Sequence, residues 1–204
     1  MMKWFYYLGR FLTGVIFRFW YDVEYIGAEN QPQKGGYILC SNHRKAIDPL
    51  IIAQKIRQPI RFMSKAELFQ NKFVGKILLS LGAFPVDRGK GDMGAIDEAI
   101  QSVKDGYVLG IFPEGTRSKT DELLRFKSGA VVIASQSGGD LLPASIWYSG
   151  NHFRAKVIVR YGAMIPNEKI AIEGISGRQI KAAVTLVKGE IEKLLEETKQ
   201  CVSK

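Results

Sequence analysis

A histidine and an aspartate separated by one short loop are the side chains best suited to chemistry. His43 follows the apolar run Tyr37–Ser41, with Asn42 between them, and Asp48 precedes Pro49 at the start of a helical pattern. A carboxylate bonded to one imidazole nitrogen fixes the tautomer and leaves the other nitrogen free to take a proton from an attacking group. The same spacing is also typical of a simple helix start, with Asp48 as N-cap and Pro49 at the first helical position.

A second polar segment, residues 112–118, leaves a strongly apolar strand and has the composition of an anion site. Arg117 can form a bidentate contact with phosphate oxygens, and Gly115 lets backbone amides approach closely. Thr116 or Ser118 can add a hydroxyl hydrogen-bond donor. Glu114 would repel a phosphate unless it were paired, so we expect it to orient an arginine or a ligand hydroxyl. The alternative is a strand-end turn held by a surface salt bridge, which stabilises a fold very little.

A third segment, Gly82–Gly89, places Arg88 just past a short strand in a loop flanked by glycines. We expect Arg88 to supply a second guanidinium for the same anion. A solvated surface arginine has the same local pattern.

The composition excludes several classes of protein. Hydrophobic residues make up 46% and charged residues 24% of the 204 residues, which is typical of a folded globular chain. Only two cysteines and two histidines occur, without C-x-x-C or H-E-x-x-H spacing, so we expect a reducing compartment and no metal site. The net charge of +9 favours an anionic partner such as nucleic acid, an anionic membrane or a phosphorylated substrate. The basic residues form no nucleic-acid-binding module, so we expect no nucleic acid partner.

Residues 1–21 have the pattern of an amphipathic helix that lies in a membrane interface. Polar or small residues recur every three or four positions and form one narrow stripe, made of Lys3, Tyr7, Arg10, Gly14 and Arg18. The remaining surface is apolar and aromatic, which is typical of a helix whose cations reach lipid phosphates. Arginines interrupt the apolar run before it reaches the about 20 residues that a spanning helix needs. The alternative is an ordinary amphipathic helix packed on the core of its own domain.

Strand-like and helix-like patterns alternate along the rest of the chain. Short β-branched or aromatic runs predict strands at Val23–Ile26, Tyr37–Ser41, Ile60–Met63, Phe84–Val86, Val108–Phe112, Leu142–Trp147 and Lys156–Tyr161. Periodic apolar patterns predict helices at Pro49–Ile56, Phe73–Leu81, Met93–Lys104, Ser128–Gln136 and Ser176–Gln200. The order predicts an α/β fold with a mixed, mostly parallel sheet flanked by helices and with ligand sites at the carboxyl ends of strands. We expect residues 22–204 to form a single α/β domain after the interfacial helix 1–21.

Together these segments resemble the four sequence blocks of the glycerolipid acyltransferase family, which includes 1-acylglycerol-3-phosphate acyltransferases. Asn42–Asp48 is similar to the first block, N-H-x-x-x-x-D, and Phe112–Ser118 to the third. Gly82–Arg88 is similar to the second block, and Leu142–Ala144 to the apolar proline block near the end. The resemblance runs from about residue 27 to residue 147, and the first and third blocks make it specific.

The resemblance implies transfer of a fatty acyl group from acyl-CoA or acyl carrier protein to the sn-2 hydroxyl of 1-acylglycerol 3-phosphate, giving phosphatidate. It implies that His43 is the general base, oriented by Asp48 and supported by Asn42. It implies a substrate phosphate site made of Arg88, Glu114, Gly115, Thr116 and Arg117. The acyl thioester is a co-substrate, and no cofactor or metal is expected.

The oxyanion stabiliser, the substrate preference and the cellular location are the next features to assign. Backbone amides or Lys127 are the candidates for stabilising the oxyanion. Lys45 stands where family members often have a serine, which leaves the acceptor and donor preference undecided. We expect a peripheral or monotopic location at the cytoplasmic face of the membrane, with the anionic surface as a partner.

Three alternatives differ in chemistry. The acceptor could be glycerol 3-phosphate or another lysolipid, with the same base. A lipid or thioester hydrolase could use Ser41 or Ser118 as the nucleophile, although the sequence has no G-x-S-x-G motif. A noncatalytic protein could simply bind anionic lipid through its basic residues.

Overall fold

The computed structural model describes residues 3–87, 93–170 and 176–203. Its strands are β1 (Asp22–Ile26), β2 (Ile38–Ser41), β3 (Ile60–Lys65), β4 (Phe84–Val86), β5 (Val108–Ile111), β6 (Leu141–Tyr148) and β7 (Lys156–Tyr161). Within the described residues these seven strands form one sheet in the order β1-β7-β6-β2-β5-β3-β4. All neighbours are parallel except β6 and β7. The predicted α/β fold with a mixed, mostly parallel sheet is confirmed.

Helices cover both faces of the sheet because its central strands are apolar on both sides. The helices are α1 (Lys3–Trp20), α2 (Asp48–Ile52), α3 (Lys72–Ser80), α4 (Met93–Lys104), α5 (Gly129–Ser137) and α6 (Gly177–Val202). Ile38 and Cys40 of β2 point into a buried cluster that contains residues of α4, α5 and α6. Leu39 points the opposite way, into a second cluster that contains residues of α1 and α2.

The helix bounds follow the predicted patterns closely, with one difference at α2. That helix ends at Ile52 and continues as a 3-10 turn over Ala53–Lys55. Ser176 caps α6 as expected, since its hydroxyl accepts a hydrogen bond from the Gln179 amide at 3.4 Å.

Helix α1 turns Arg10 of its polar stripe toward the domain and most of its apolar side chains outward. Arg10 donates from Nη1 to the Ile56 carbonyl at 2.7 Å, and the Thr13 hydroxyl accepts from the Gln54 amide at 3.0 Å. Tyr6 and Phe17 are buried in the second cluster. The exposed apolar side chains are Trp4, Leu8, Phe11, Leu12, Val15, Ile16, Phe19 and Trp20.

The described helices include none that is long and apolar enough to cross a membrane. Helix α1 ends at Trp20, and one residue, Tyr21, separates it from β1. The division into an interfacial helix (1–21) and one α/β domain (22–204) stays a prediction.

The carboxyl ends of β2 and β5 create the place where the polar segments meet. The two strands are adjacent and parallel, with Cys40 opposite Ile111, so residues 42–47 and 112–128 leave the sheet at the same edge. On the other side of β2, Ser41 is opposite Ala144. Strand β6 therefore continues past the end of β2 and ends at Tyr148 beside the same edge.

Candidate active site

His43 and Asp48 meet, as their spacing predicts. His43 Nδ1 lies 2.9 Å from Asp48 Oδ2, and the same oxygen accepts hydrogen bonds from the backbone amides of Arg44 at 2.6 Å and Lys45 at 2.8 Å. Asp48 is the first residue of α2, whose N-cap is Ile47. Its carboxylate is fully buried and faces back into the 43–48 loop, so it folds the loop and orients the imidazole at once.

Tyr148 completes the set of groups around the carboxylate. Its hydroxyl donates to Asp48 Oδ1 at 2.5 Å, a distance typical of a charge-assisted bond. Burial raises the pKa of Tyr148, and the Asp48 charge raises it further, so the phenol keeps its proton and remains a donor. Tyr148 lies just beyond the segment that resembles the family, and sequence analysis missed it.

The free nitrogen of the imidazole is available to a substrate. The His43 ring stacks on Phe112, with centroids 4.1 Å apart and planes 18° apart, and Phe112 stacks in turn on Phe62. Among the hydrogen bonds of the described residues, none uses His43 Nε2, and the side chain is 13% exposed. Nδ1 is thus held by Asp48, while Nε2 can accept a proton from an incoming hydroxyl.

Glu114 connects the loop that carries His43 with the loop 112–128. Its Oε1 accepts from the His43 backbone amide at 2.8 Å, and its Oε2 accepts from the Leu124 amide at 2.9 Å. The Ser118 amide also donates to the His43 carbonyl at 2.8 Å. The expectation that Glu114 orients an arginine or a ligand hydroxyl differs from these contacts, because both carboxylate oxygens bind backbone N–H groups instead.

A cationic cavity of about 500 Å³ lies between the ends of the same two loops. It contains the predicted Thr116 and Arg117, both exposed, and three further lining cations that the sequence analysis did not assign: Arg44, Lys45 and Lys119. The Arg44 guanidinium is held by the Thr120 carbonyl and the Asp121 carboxylate. The predicted Arg88 lies outside the described residues.

Lys45 occupies a position that joins the cavity to the dyad. Its ammonium lies 3.9 Å from the centroid of the Tyr148 ring and donates to the Gly150 carbonyl at 3.2 Å. Burial lowers the pKa of Lys45, and the neighbouring Asp48 opposes that change. The lysine that replaces the serine of many family members therefore packs against the tyrosine that binds Asp48.

The remaining predicted residues support the loops. Asn42 is buried, and its side chain exchanges two hydrogen bonds with the backbone of Ile146, at 3.0 and 2.8 Å. Gly115 adopts φ +70°, a region that favours glycine. A Cβ atom at Gly115 would lie 2.9 Å from Lys127 Cε, so the Lys127 side chain crosses the third block at close range.

The two serines considered as nucleophiles point elsewhere. Ser41 is buried, and its hydroxyl lies 3.2 Å from the Asn42 carbonyl. The Ser118 hydroxyl lies 2.9 Å from the carbonyls of both Thr120 and Glu122. Neither arrangement gives the serine–imidazole bond of a hydrolase triad.

In the part of the chain that the structure describes, His, Cys, Asp and Glu side chains form no group of three that could hold a metal ion. The expectation that catalysis needs no metal or cofactor stays a prediction.

Comparisons with known proteins agree on one family. A family model described as Acyltransferase matches residues 22–147. The 1-acyl-sn-glycerol-3-phosphate acyltransferase of Borreliella burgdorferi is 30% identical over 178 residues, which cover 85% of this chain and 71% of that protein. The protein of the same name from Bacillus subtilis is 38% identical over 124 residues, or 60% of this chain and 61% of its own length.

A solved structure has the same fold. The crystal structure of the 1-acyl-sn-glycerophosphate acyltransferase from Thermotoga maritima matches with a TM-score of 0.76 and 25% sequence identity, over 97% of this chain and 79% of that chain. The matched family segment contains both the His43–Asp48 pair and the loop that carries Glu114 and Arg117. The resemblance found in the sequence is therefore confirmed, and the chain belongs to the acyltransferase family.

Proposed function

We propose that this acyltransferase moves a fatty acyl group from a CoA or carrier-protein thioester to the sn-2 hydroxyl of 1-acylglycerol 3-phosphate, giving phosphatidate. The observation that carries the proposal is the orientation of His43, whose Nδ1 is held by Asp48 while its Nε2 makes no hydrogen bond within the described residues. The next two residues, Arg44 and Lys45, line the cationic cavity. The names of the Borreliella and Bacillus relatives support the acceptor.

In this mechanism His43 is the general base. Nε2 removes the proton from the acceptor hydroxyl as its oxygen attacks the thioester carbonyl carbon. The tetrahedral intermediate collapses with cleavage of the C–S bond, and the imidazolium returns the proton to the leaving thiolate. One ester and one free thiol result, and no acyl-enzyme forms. General-base assistance of this kind is typically worth about 10²–10⁴ in rate.

Asp48 and Tyr148 make this proton transfer easier. The carboxylate stabilises the positive charge that the ring acquires, and the tyrosine hydroxyl keeps the carboxylate in place. Backbone amides at the loop ends, or Lys127 beside Gly115, are the candidates for stabilising the oxyanion.

The cationic cavity is the proposed site for the acceptor phosphate. Arg117 and Lys119 lie in an exposed stretch of its lining, together with the Thr116 hydroxyl. Binding the phosphate there positions the acceptor beside the base, and Glu114 contributes by holding the loop to the His43 backbone. Arg88 remains the expected second guanidinium.

The third proposed partner is the anionic, cytoplasmic surface of a membrane. Helix α1 exposes eight large apolar side chains, while Arg10 and Thr13 contact the domain. An aqueous environment would not favour this orientation, whereas a lipid interface would bury the exposed face. A peripheral or monotopic enzyme of this kind would meet its lysolipid acceptor at the interface.

A phosphate-specific kinetic test separates the acceptors. We expect phosphatidate from lysophosphatidate with either thioester donor, and Arg117→Ala to raise the KM for lysophosphatidate by about tenfold to a hundredfold through loss of a charge-assisted contact. The matched control is Arg57→Ala, which removes an exposed arginine just before β3. Acylation of glycerol 3-phosphate but not of lysophosphatidate would overturn the proposed acceptor. Release of free fatty acid in the absence of an acceptor would indicate a hydrolase.

A further inference from the structure

A second, larger groove lies between helix α6 and the loop that precedes α5. It has a volume of about 1250 Å³ and is lined by residues 125–128 on one side and by one face of α6, from Gly177 to Glu192, on the other. We call it the α6 groove. It shares no lining residue with the cationic cavity beside His43.

The α6 groove carries a strong positive charge. Its lining contains four cations and one acid, which are Arg125, Lys127, Lys181, Lys188 and Glu192. Within the described residues, none of the four cations forms a side-chain ion pair or hydrogen bond. Their charges are therefore available to an anionic partner.

The two lysines on α6 form a strip, with apolar side chains between them. Lys181 and Lys188 are two helical turns apart, which is about 10 Å along the axis. Ile180 and Val184, both half-buried, lie on the same face of α6. The aromatic residue of the lining, Phe126, is buried, so it offers no exposed ring for an adenine to stack on. A strip of this kind fits an acidic protein surface better than the clustered phosphates of free CoA.

The α6 groove is connected to the base by short contacts. The Lys127 amide donates to the Pro113 carbonyl at 2.8 Å. Phe112, the residue before Pro113, stacks on the His43 ring with centroids 4.1 Å apart. Glu114, the residue after Pro113, accepts a hydrogen bond from the His43 amide. The lining of the α6 groove and the surroundings of His43 are therefore joined by one continuous loop, residues 112–128.

We propose that the α6 groove docks a small acidic acyl carrier protein, which delivers its phosphopantetheine-linked acyl thioester to His43. The inference rests on the proposed function and adds the donor and its docking surface. The chemistry is unchanged: the acyl C–S bond breaks, the ester forms, and the thiol of the arm leaves with the proton held by the imidazolium.

Charge reversal on α6 tests the docking surface. Lys181→Glu and Lys188→Glu are made separately and together, and the KM is measured with palmitoyl-carrier protein and with palmitoyl-CoA at saturating lysophosphatidate. We expect the double variant to raise the KM for the carrier-protein donor by about tenfold or more at low salt, an effect that high salt diminishes. The KM for palmitoyl-CoA should stay within about twofold of wild type.

Lys193→Glu is the matched control, because it makes the same charge change at an exposed position of α6 outside the groove lining. Circular dichroism checks that each variant is folded, and anisotropy of labelled holo-carrier protein measures binding without turnover. An unchanged KM and unchanged binding in the double variant would overturn the proposal, as would equal losses with both donors. Wild-type enzyme that makes phosphatidate only from palmitoyl-CoA would overturn the docking and leave the proposed function intact; formation of no phosphatidate from either donor would overturn both.

Discussion

Tyr148→Phe removes one hydrogen bond from the Asp48 carboxylate and leaves the ring in place. A hydrogen bond to a charged group contributes about 1.5–3 kcal/mol, which corresponds to roughly 10–150-fold in rate at 1.36 kcal/mol per tenfold. Asp48 would keep its contacts with the imidazole and with two backbone amides. We therefore expect the lower end of that range, a fall in kcat of about tenfold, with the KM for lysophosphatidate changed by less than about twofold.

The assay is the initial rate of thiol release from palmitoyl-CoA at varied lysophosphatidate. Tyr161→Phe is the control, because it also removes a buried tyrosine hydroxyl, which donates to the Ile52 carbonyl at 2.7 Å without touching Asp48. The control should lose about 1 kcal/mol of unfolding free energy in urea and keep its kcat. If Tyr148→Phe retained full kcat, or if both variants lost kcat equally, the assigned role of Tyr148 would be wrong.

Four further outcomes follow from the same contacts. Glu114→Ala should lower the unfolding free energy by about 2–4 kcal/mol, measured in urea, because two backbone amides lose their acceptor; an unchanged midpoint would contradict the loop-fastening role. Ser41→Ala and Ser118→Ala should each keep activity within about tenfold, whereas a loss above about a thousandfold would indicate a nucleophile. Combined Phe11→Ser and Ile16→Ser should reduce sedimentation with phosphatidylglycerol vesicles, and undiminished sedimentation would argue against α1 as the anchor. Burial raises the pKa of five phenols, those of Tyr6, Tyr25, Tyr37, Tyr148 and Tyr161. The folded state therefore keeps protons that the unfolded state releases above pH about 10. The melting temperature in circular dichroism should accordingly fall as the pH rises from about 9 to about 11.

The dyad and the order of the elements were accessible from the sequence because they depend on local patterns. His43 and Asp48 are one loop apart, and the loop follows a strand whose apolar run is continuous. Alternating strand and helix patterns suffice to predict a parallel sheet with its ligand site at the carboxyl edge. The segments that carry Asn42 and Glu114 follow two strands, and strand adjacency brings them together.

The contacts that were missed are long-range or involve the backbone. Tyr148 is 100 residues from Asp48, and its role depends on how far β6 extends past β2, which no local pattern reports. Glu114 binds amide groups, and every residue except proline carries one, so the sequence could not identify its partners. Periodicity along α1 separates two faces but does not say that Arg10 faces the domain while Phe11, 67% exposed, faces outward.

The proposed mechanism depends on His43 acting as a general base in direct acyl transfer. The most direct measurement is release of free thiol from palmitoyl-CoA by the wild type and by His43→Ala, with and without lysophosphatidate and with the lipid products resolved. We expect that release requires the acceptor, yields phosphatidate and falls by at least about a hundredfold in the variant. Release without acceptor, or phosphatidate formation that survives the loss of His43, would contradict it.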